Sequence, residues 1–176
     1  NLYEGGIRSP LIVWGPGLMD QSAIGTLNNS TIVSSIDLVA SLIGLSDLTV
    51  PDGYQGDGEN LLPALLGQSK TQRTGPLFWR RPPDRPGPQA DPFPDLAMRD
   101  GEWKLLCALD GSGVQLYHLT EDQSEERNVA ADHPPIVERL KTAVLAWNRT
   151  LPDDGVQRAG QESRVKSQGP DKKAGK

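Results

Sequence analysis

Glu4-Gly5-Gly6-Ile7-Arg8-Ser9-Pro10 is the densest grouping of functionally suggestive residue types in this 176-residue chain. Two adjacent glycines let a backbone turn sharply, or approach a group where a side chain would clash. Glu4 and Arg8 stand on either side of them and can tie the turn by a charge-assisted hydrogen bond. On residue types alone this is a structural turn that feeds the apolar run Leu11-Ile12-Val13-Trp14. A second grouping places Arg80, Arg81 and Arg85 in a loop stiffened by Pro82, Pro83, Pro86 and Pro88. Planar guanidinium forks suit carboxylates and sulfates, although most surface arginines are simply solvated. Other reactive types are sparse. Cys107, within Leu105-Leu106-Cys107-Ala108-Leu109, reads as a small buried hydrophobe. His118 and His133 have no partner at metal-ligand spacing and read as structural or solvent-facing. Asp37 reads as a helix-start carboxylate ahead of a metal ligand. Gly15-Pro16-Gly17 lacks the spacing of a phosphate-binding loop.

The elements that must carry these groups follow from local periodicity. Leu11–Trp14 is short and apolar on both faces, which predicts an interior strand covered on both sides. Ser34 or Ser35 can cap a helix from about Ile36 to Ile43, with Gly44 as its stop. Ile36, Val39, Ala40 and Ile43 would form its apolar face. Residues 51–67 form a connector ending in a short leucine-rich helix over Leu61 to Leu66, and the polar stretch 68–75 marks a boundary. Pro76–Trp79 predicts a strand. Leu96–Arg99 and Glu102–Leu106 flank Asp100-Gly101, a strong two-residue hairpin signal. Val114–Leu119 supplies a third antiparallel strand, and Trp103, Leu105 and Cys107 share one face of the middle one. Pro134 and Pro135 suit a first helical turn. Beyond them Ile136, Val137, Leu140, Ala143, Val144 and Trp147 make one stripe, with Asp132 or His133 as cap. Strand-then-helix followed by a small sheet under one helix predicts the end of an α/β domain, residues 1–70, and an α+β subdomain, residues 71–153.

Composition bounds the partners. The net charge is −5 with 36% hydrophobic residues, and glycine and proline number 19 and 15. Residues 154–176 hold six basic and three acidic side chains. That net of +3 leaves −8 on residues 1–153, too acidic for a nucleic-acid binder. The basic tail is expected to be disordered. No stretch approaches the ~20 apolar residues of a membrane span. One cysteine says little of redox compartment. The chain opens on Asn1 without an initiator Met or a signal peptide, which predicts a fragment or a processed piece.

Tyr3-Glu4-Gly5-Gly6-Ile7-Arg8-Ser9-Pro10, then an apolar run and Gly15-Pro16-Gly17, resembles the formylglycine-dependent sulfatases, the arylsulfatases and glycosaminoglycan sulfatases. Four further motifs follow in that family's order. They are Ile36-Asp37-Leu38, Asp52-Gly53 with its leucine-rich sequel, Arg99-Asp100-Gly101-Glu102-Trp103-Lys104-Leu105, and Leu116-Tyr117-His118-Leu119 with Asp122, Glu125 and Asn128. His118 and Gln123 depart from the family's usual Asp and Pro. The resemblance implies the end of the large alkaline-phosphatase-like domain followed by the small C-terminal subdomain. It implies an intact protein that hydrolyses sulfate esters, with Phe78-Trp79 and the Gly-Glu-Trp-Lys-Leu-Leu run pointing to the arylsulfatase A and N-acetylgalactosamine-6-sulfatase branch. The Cys-x-Pro-x-Arg precursor of formylglycine, the acidic Ca²⁺ ligands and a sulfate-binding lysine would all lie upstream of Asn1, so this polypeptide alone is expected to be inactive. Cys107 has no Pro-x-Arg after it and cannot be that precursor. Glu4, Gly5, Gly6 and Arg8 would stand beside the active site without being catalytic, and no residue here would bind metal. Arg80, Arg81 and Arg85 become candidates for gripping an anionic sugar or aryl sulfate ester. A formylglycine-generating maturase and a periplasmic or secreted location are further implications. A phosphonate or phosphate monoesterase of the same superfamily, or a non-catalytic sulfatase-like glycan binder, are the alternatives.

Overall fold

The structure, a computed structural model, describes residues 1–46, 48–50, 52–53, 56–81 and 93–152. The proline-rich loop with Arg85 and the tail 154–176 lie outside the described residues. In chain order the elements are α1 (Glu4–Ile7), a 3-10 turn (Gln21–Ala23), α2 (Ser35–Leu45), α3 (Leu62–Leu65), β1 (Leu77–Arg80), β2 (Leu96–Asp100), β3 (Trp103–Cys107), β4 (Gln115–His118) and α4 (Pro134–Thr150). They fall into two units, one of residues 8–77 and one joining residues 1–7 to the segment from Phe78 onward. The boundary expected at residues 70/71 thus falls at Leu77/Phe78, and the first seven residues group with the later unit.

In the unit that begins at Phe78 the strands run in the order β1-β2-β3-β4. β2 and β3 pair antiparallel with Asp100 opposite Trp103, and β3 and β4 pair antiparallel with Lys104 opposite Tyr117. The two-residue loop is therefore Gly101-Glu102, one position later than Asp100-Gly101, because the residue with positive φ, Gly101 at 58°, takes the first loop position. Alternation along β3 separates two faces. Leu105 and Cys107 join Leu96, Met98 and Leu116 against Leu140 and Val144 of α4, all buried. Ile136, Val137, Ala143 and Trp147 pack around them, and the Trp147 ring stacks on Phe78 with centroids 5.1 Å apart. The predicted stripe is the buried one. His133 occupies the cap position of α4 but makes no side-chain cap bond; its ring instead packs on Trp103, 4.9 Å between centroids.

The opposite face of the sheet is also covered. Leu2, Tyr3 and Ile7 pack with Ala97, Leu106, Tyr117, Leu119 and Trp79. Burial of both faces accounts for the continuous apolar run Leu105-Leu106-Cys107 in β3.

The unit of residues 8–77 departs from three expectations. Leu11–Trp14 forms no strand, and Ile12 and Trp14 are 87% and 84% exposed. A strand exists only through ladder bonds to neighbours, and no described residue pairs with this run. In α2, Gly44 is no stop, since the helix continues to Leu45. Gly44 is instead a close approach: a Cβ there would lie 2.4 Å from Asn60 Nδ2. The expected apolar face of α2 is only partly covered: Ile36 and Val39 are exposed and Ala40 and Ile43 half-buried, while Asp37 and Ser41 are fully buried. The polar pair goes inward because it satisfies backbone donors. Ser41 Oγ accepts the Leu61 N–H at 2.9 Å, and Asp37 accepts the N–H groups of Ser34 and Glu59, each at 2.8 Å.

Candidate functional site

Lys104 is the largest fully buried side chain among the described residues. Its strand position sends it to the same face as Leu106, opposite Trp103 and Leu105. Register places Arg99 on one side of it and Tyr117 on the other, forming one row across the sheet. The Lys104 ammonium donates to Glu4 Oε1 at 2.8 Å and lies 2.9 Å from Glu125 Oε1. The second contact is an ion pair at an angle that falls outside a hydrogen bond. Arg99 Nη1 approaches the other Glu4 oxygen at 3.5 Å. Glu4 also donates its own backbone N–H to Glu125 Oε2. Two cations and two carboxylates balance, as buried charges must.

Each partner is delivered by a definite local structure. Glu4 opens α1, a single helical turn in which the N–H groups of Gly6 and Ile7 both donate to the Tyr3 carbonyl. A Cβ on Gly6 would lie 2.6 Å from the Asn1 carbonyl oxygen, so the second glycine is required for the tightness of the turn. Tyr3 anchors the same segment by donating its hydroxyl to Gln115 Oε1 at 2.7 Å. Glu125 comes from the loop after β4, where it adopts a left-handed conformation with φ of 56°. Such a conformation costs a non-glycine residue about 1–2 kcal/mol. Asp122 stabilises it: its carboxylate accepts the N–H groups of Arg127 and Glu126 at 2.9 and 3.1 Å. Those two bonds hold the Asp122 carboxyl below its ordinary range. Asn128 then closes the loop, its Oδ1 accepting from Leu116 and Ala130 at 3.0 Å each. Burial, then the neighbouring Tyr3, Glu125 and Asp122, push the Tyr117 hydroxyl up to about 12.

The residues singled out from the sequence distribute as follows. Glu4, Gly5 and Gly6 lie in this arrangement. The Glu4 carboxylate is engaged by Lys104 and Arg99, which sit across the sheet face that α1 covers. Arg8 belongs to the other unit. Arg80 ends β1. Arg81 pairs with Asp95 at 3.2 Å, and its guanidinium lies 5.8 Å from the Phe93 ring centre. Arg85 lies outside the described residues. Asp37 is saturated by Ser34, Glu59 and Arg73. His118 packs edge-on against Trp103, 4.6 Å between centroids, with Glu102 at 3.4 Å. Cys107 is buried, and desolvation, with Asp110 and Asp95 nearby, pushes its thiol up to about 11.

Among the described residues no three His, Cys, Asp or Glu side chains come together as a metal site requires. The carboxylates of the cluster face Lys104, and Cys107 is an inert core thiol. The described residues of this cluster do not fit a Ca²⁺ cage, and Cys107, with no Pro-x-Arg after it, does not fit a formylglycine precursor. Sequence reasoning missed Lys104, Glu125 and Arg99 as parts of the site. The available signal was a lysine at the centre of a strand with apolar residues on both of its faces.

No family model matches the chain. Curated relatives do. Arylsulfatase K of Gallus gallus is 30% identical over 151 residues, covering 80% of this chain and 25% of the relative. An N-acetylgalactosamine-6-O-sulfatase of Bacteroides thetaiotaomicron is 29% identical over 78% of this chain and 27% of its own length. The choline-sulfatase of Rhizobium meliloti is 30% identical over 74% and 23% respectively. This chain thus spans about a quarter of the curated relatives it matches. No helix among the described residues is long and apolar enough to cross a membrane. Over the roughly four-fifths of its length that aligns, the chain belongs to the sulfatase family.

Proposed function

We propose that this chain is the C-terminal part of a larger enzyme that hydrolyses sulfate esters of a sulfated glycan. The observation that carries this reading is the alignment of four-fifths of the chain with relatives named as sulfatases, one of them acting on N-acetylgalactosamine 6-sulfate by its name. In this reading residues 8–77 close the large α/β domain, and the sheet-and-helix unit is the C-terminal subdomain. Formylglycine would supply the nucleophile and Ca²⁺ the Lewis acid, both held by residues outside these 176. This chain's own residues brace the site: the α1 turn is held against the sheet by Lys104 and Glu125, beside the reacting centre. Arg80 and Arg81 are this chain's candidates for attracting the substrate's anionic groups, with Arg85 a further candidate from the sequence that lies outside the described residues. Maturation by a formylglycine-generating enzyme and export to a periplasm or the cell exterior belong to the same reading.

Sulfate release tests it. The longer protein, produced with its maturase and supplied with Ca²⁺, should release sulfate from N-acetylgalactosamine 6-sulfate, and the 176-residue chain should release none. Sulfate release by the short chain would overturn the placement of the chemistry. Release of phosphate from a phosphate monoester, with no sulfate from any sulfate ester, would overturn the reaction class.

A further inference from the structure

The structure assigns a positioning role to Lys104 and Glu125: together they form an electrostatic latch that sets where the Glu4-Gly5-Gly6 turn lies. Four observations converge on it. Lys104 has no exposed surface, so its charge is committed to its partners. Glu4 receives Lys104 on one carboxylate oxygen and Arg99 on the other, which fixes the plane of the carboxylate. Glu125 contacts both Lys104 and the Glu4 backbone N–H, so it closes a ring of lysine, side chain and main chain. It does so from a left-handed backbone conformation, an outlay that a mere surface loop would have no reason to sustain.

Hydrophobic packing of Leu2 and Ile7 can attach this segment but cannot fix its orientation, because apolar contact is non-directional. The Lys104–Glu4 hydrogen bond and the main-chain bond from Glu4 to Glu125 are directional and supply the angular constraint. The catalytic part of the inference rests on the sulfatase reading above, in which the turn borders the reacting centre. The latch itself does not.

Two measurements separate them. Glu125→Gln keeps the side-chain volume and one carbonyl oxygen for the Glu4 N–H while removing the charge that holds Lys104. In the 176-residue chain, hydrogen exchange of the Gly6 and Ile7 amides should rise at least tenfold, while the Leu105 and Leu106 amides remain protected. Unchanged exchange at Gly6 and Ile7 in the folded variant overturns the latch. If that variant does not fold, Glu125→Asp gives the second test, since it retains the charge and shortens the reach. It should loosen the same two amides less than tenfold, and equal exchange to the native chain overturns the latch. In the longer enzyme Glu125→Gln should lower kcat at least tenfold with KM within twofold. A loosened turn with unchanged kcat overturns the positioning role in catalysis. Absence of sulfatase activity in the unsubstituted longer protein overturns the functional reading and leaves the exchange result standing.

Discussion

Replacing Lys104 by Met removes the one cation that faces both Glu4 and Glu125. The side chain is fully buried, with ion-pair distances of 2.8 and 2.9 Å. Methionine fills much of the same volume, so the loss is electrostatic rather than steric. Two carboxylates are then left in a site of low polarity, with Arg99, at 3.5 Å from Glu4, as the remaining cation of the cluster. Deleting one partner of a buried pair costs about 3–5 kcal/mol. For a chain of this length each kcal/mol moves Tm by roughly 2–4 °C, so a fall of about 6–20 °C is expected. The same argument makes a second prediction of opposite sense. Glu4→Gln and Glu125→Gln added to Lys104→Met remove the uncompensated charges, and neutral replacement of a buried ionic group is often near-neutral for stability. The triple variant should recover most of the lost Tm, with Arg99, one-fifth exposed, turning to solvent. Thermal denaturation by circular dichroism and urea titration would read both. A single Lys104→Met variant that loses less than about 1 kcal/mol, the range of exposed pairs, would show that the cluster is solvated and the reasoning wrong.

Other expectations are more local. Leu140→Ala, at a fully buried site between α4 and the sheet, should cost about 2–5 kcal/mol in urea unfolding, within the range for large-to-small core changes. Gly58→Ala would place a Cβ 2.0 Å from the Ile36 carbonyl oxygen, a backbone atom that cannot swing aside. It should destabilise the chain by about 1–3 kcal/mol, read from the urea midpoint. Cys107 should resist thiol reagents in the native protein at pH 8 and react fully in guanidinium. Because burial raises its folded value to about 11 from 9.0, the unfolded chain ionises first, so stability present below pH 9 is lost as pH rises toward 11. Cys107→Ala should flatten that alkaline limb of the stability curve.

Much of the fold was legible locally, and the reason differs by element. The α4 stripe from Ile136 to Trp147 and the faces of β3 follow from periods of 3.6 and 2, which any short segment displays by itself. The Asp100-Gly101 signal located the hairpin because only glycine takes positive φ freely, though register settled the loop one residue later. The motif residues Asp122, Glu125 and Asn128 could be picked out as a pattern. Their work of building a loop that turns one carboxylate inward could not.

Tertiary structure alone decided the rest. Leu11–Trp14 has strand composition, yet a strand is a property of two chains and not of one, and no described residue pairs with it. The sequence of α2 names an apolar face but not the direction of burial, which Asp37 and Ser41 decide by satisfying backbone donors of residues 59 and 61. A lysine in a strand reads as a solvent-facing position until residues a hundred places earlier in the chain cover that face. Periodicity is written in neighbouring residues, whereas the environment of a charge is set by whatever folds against it.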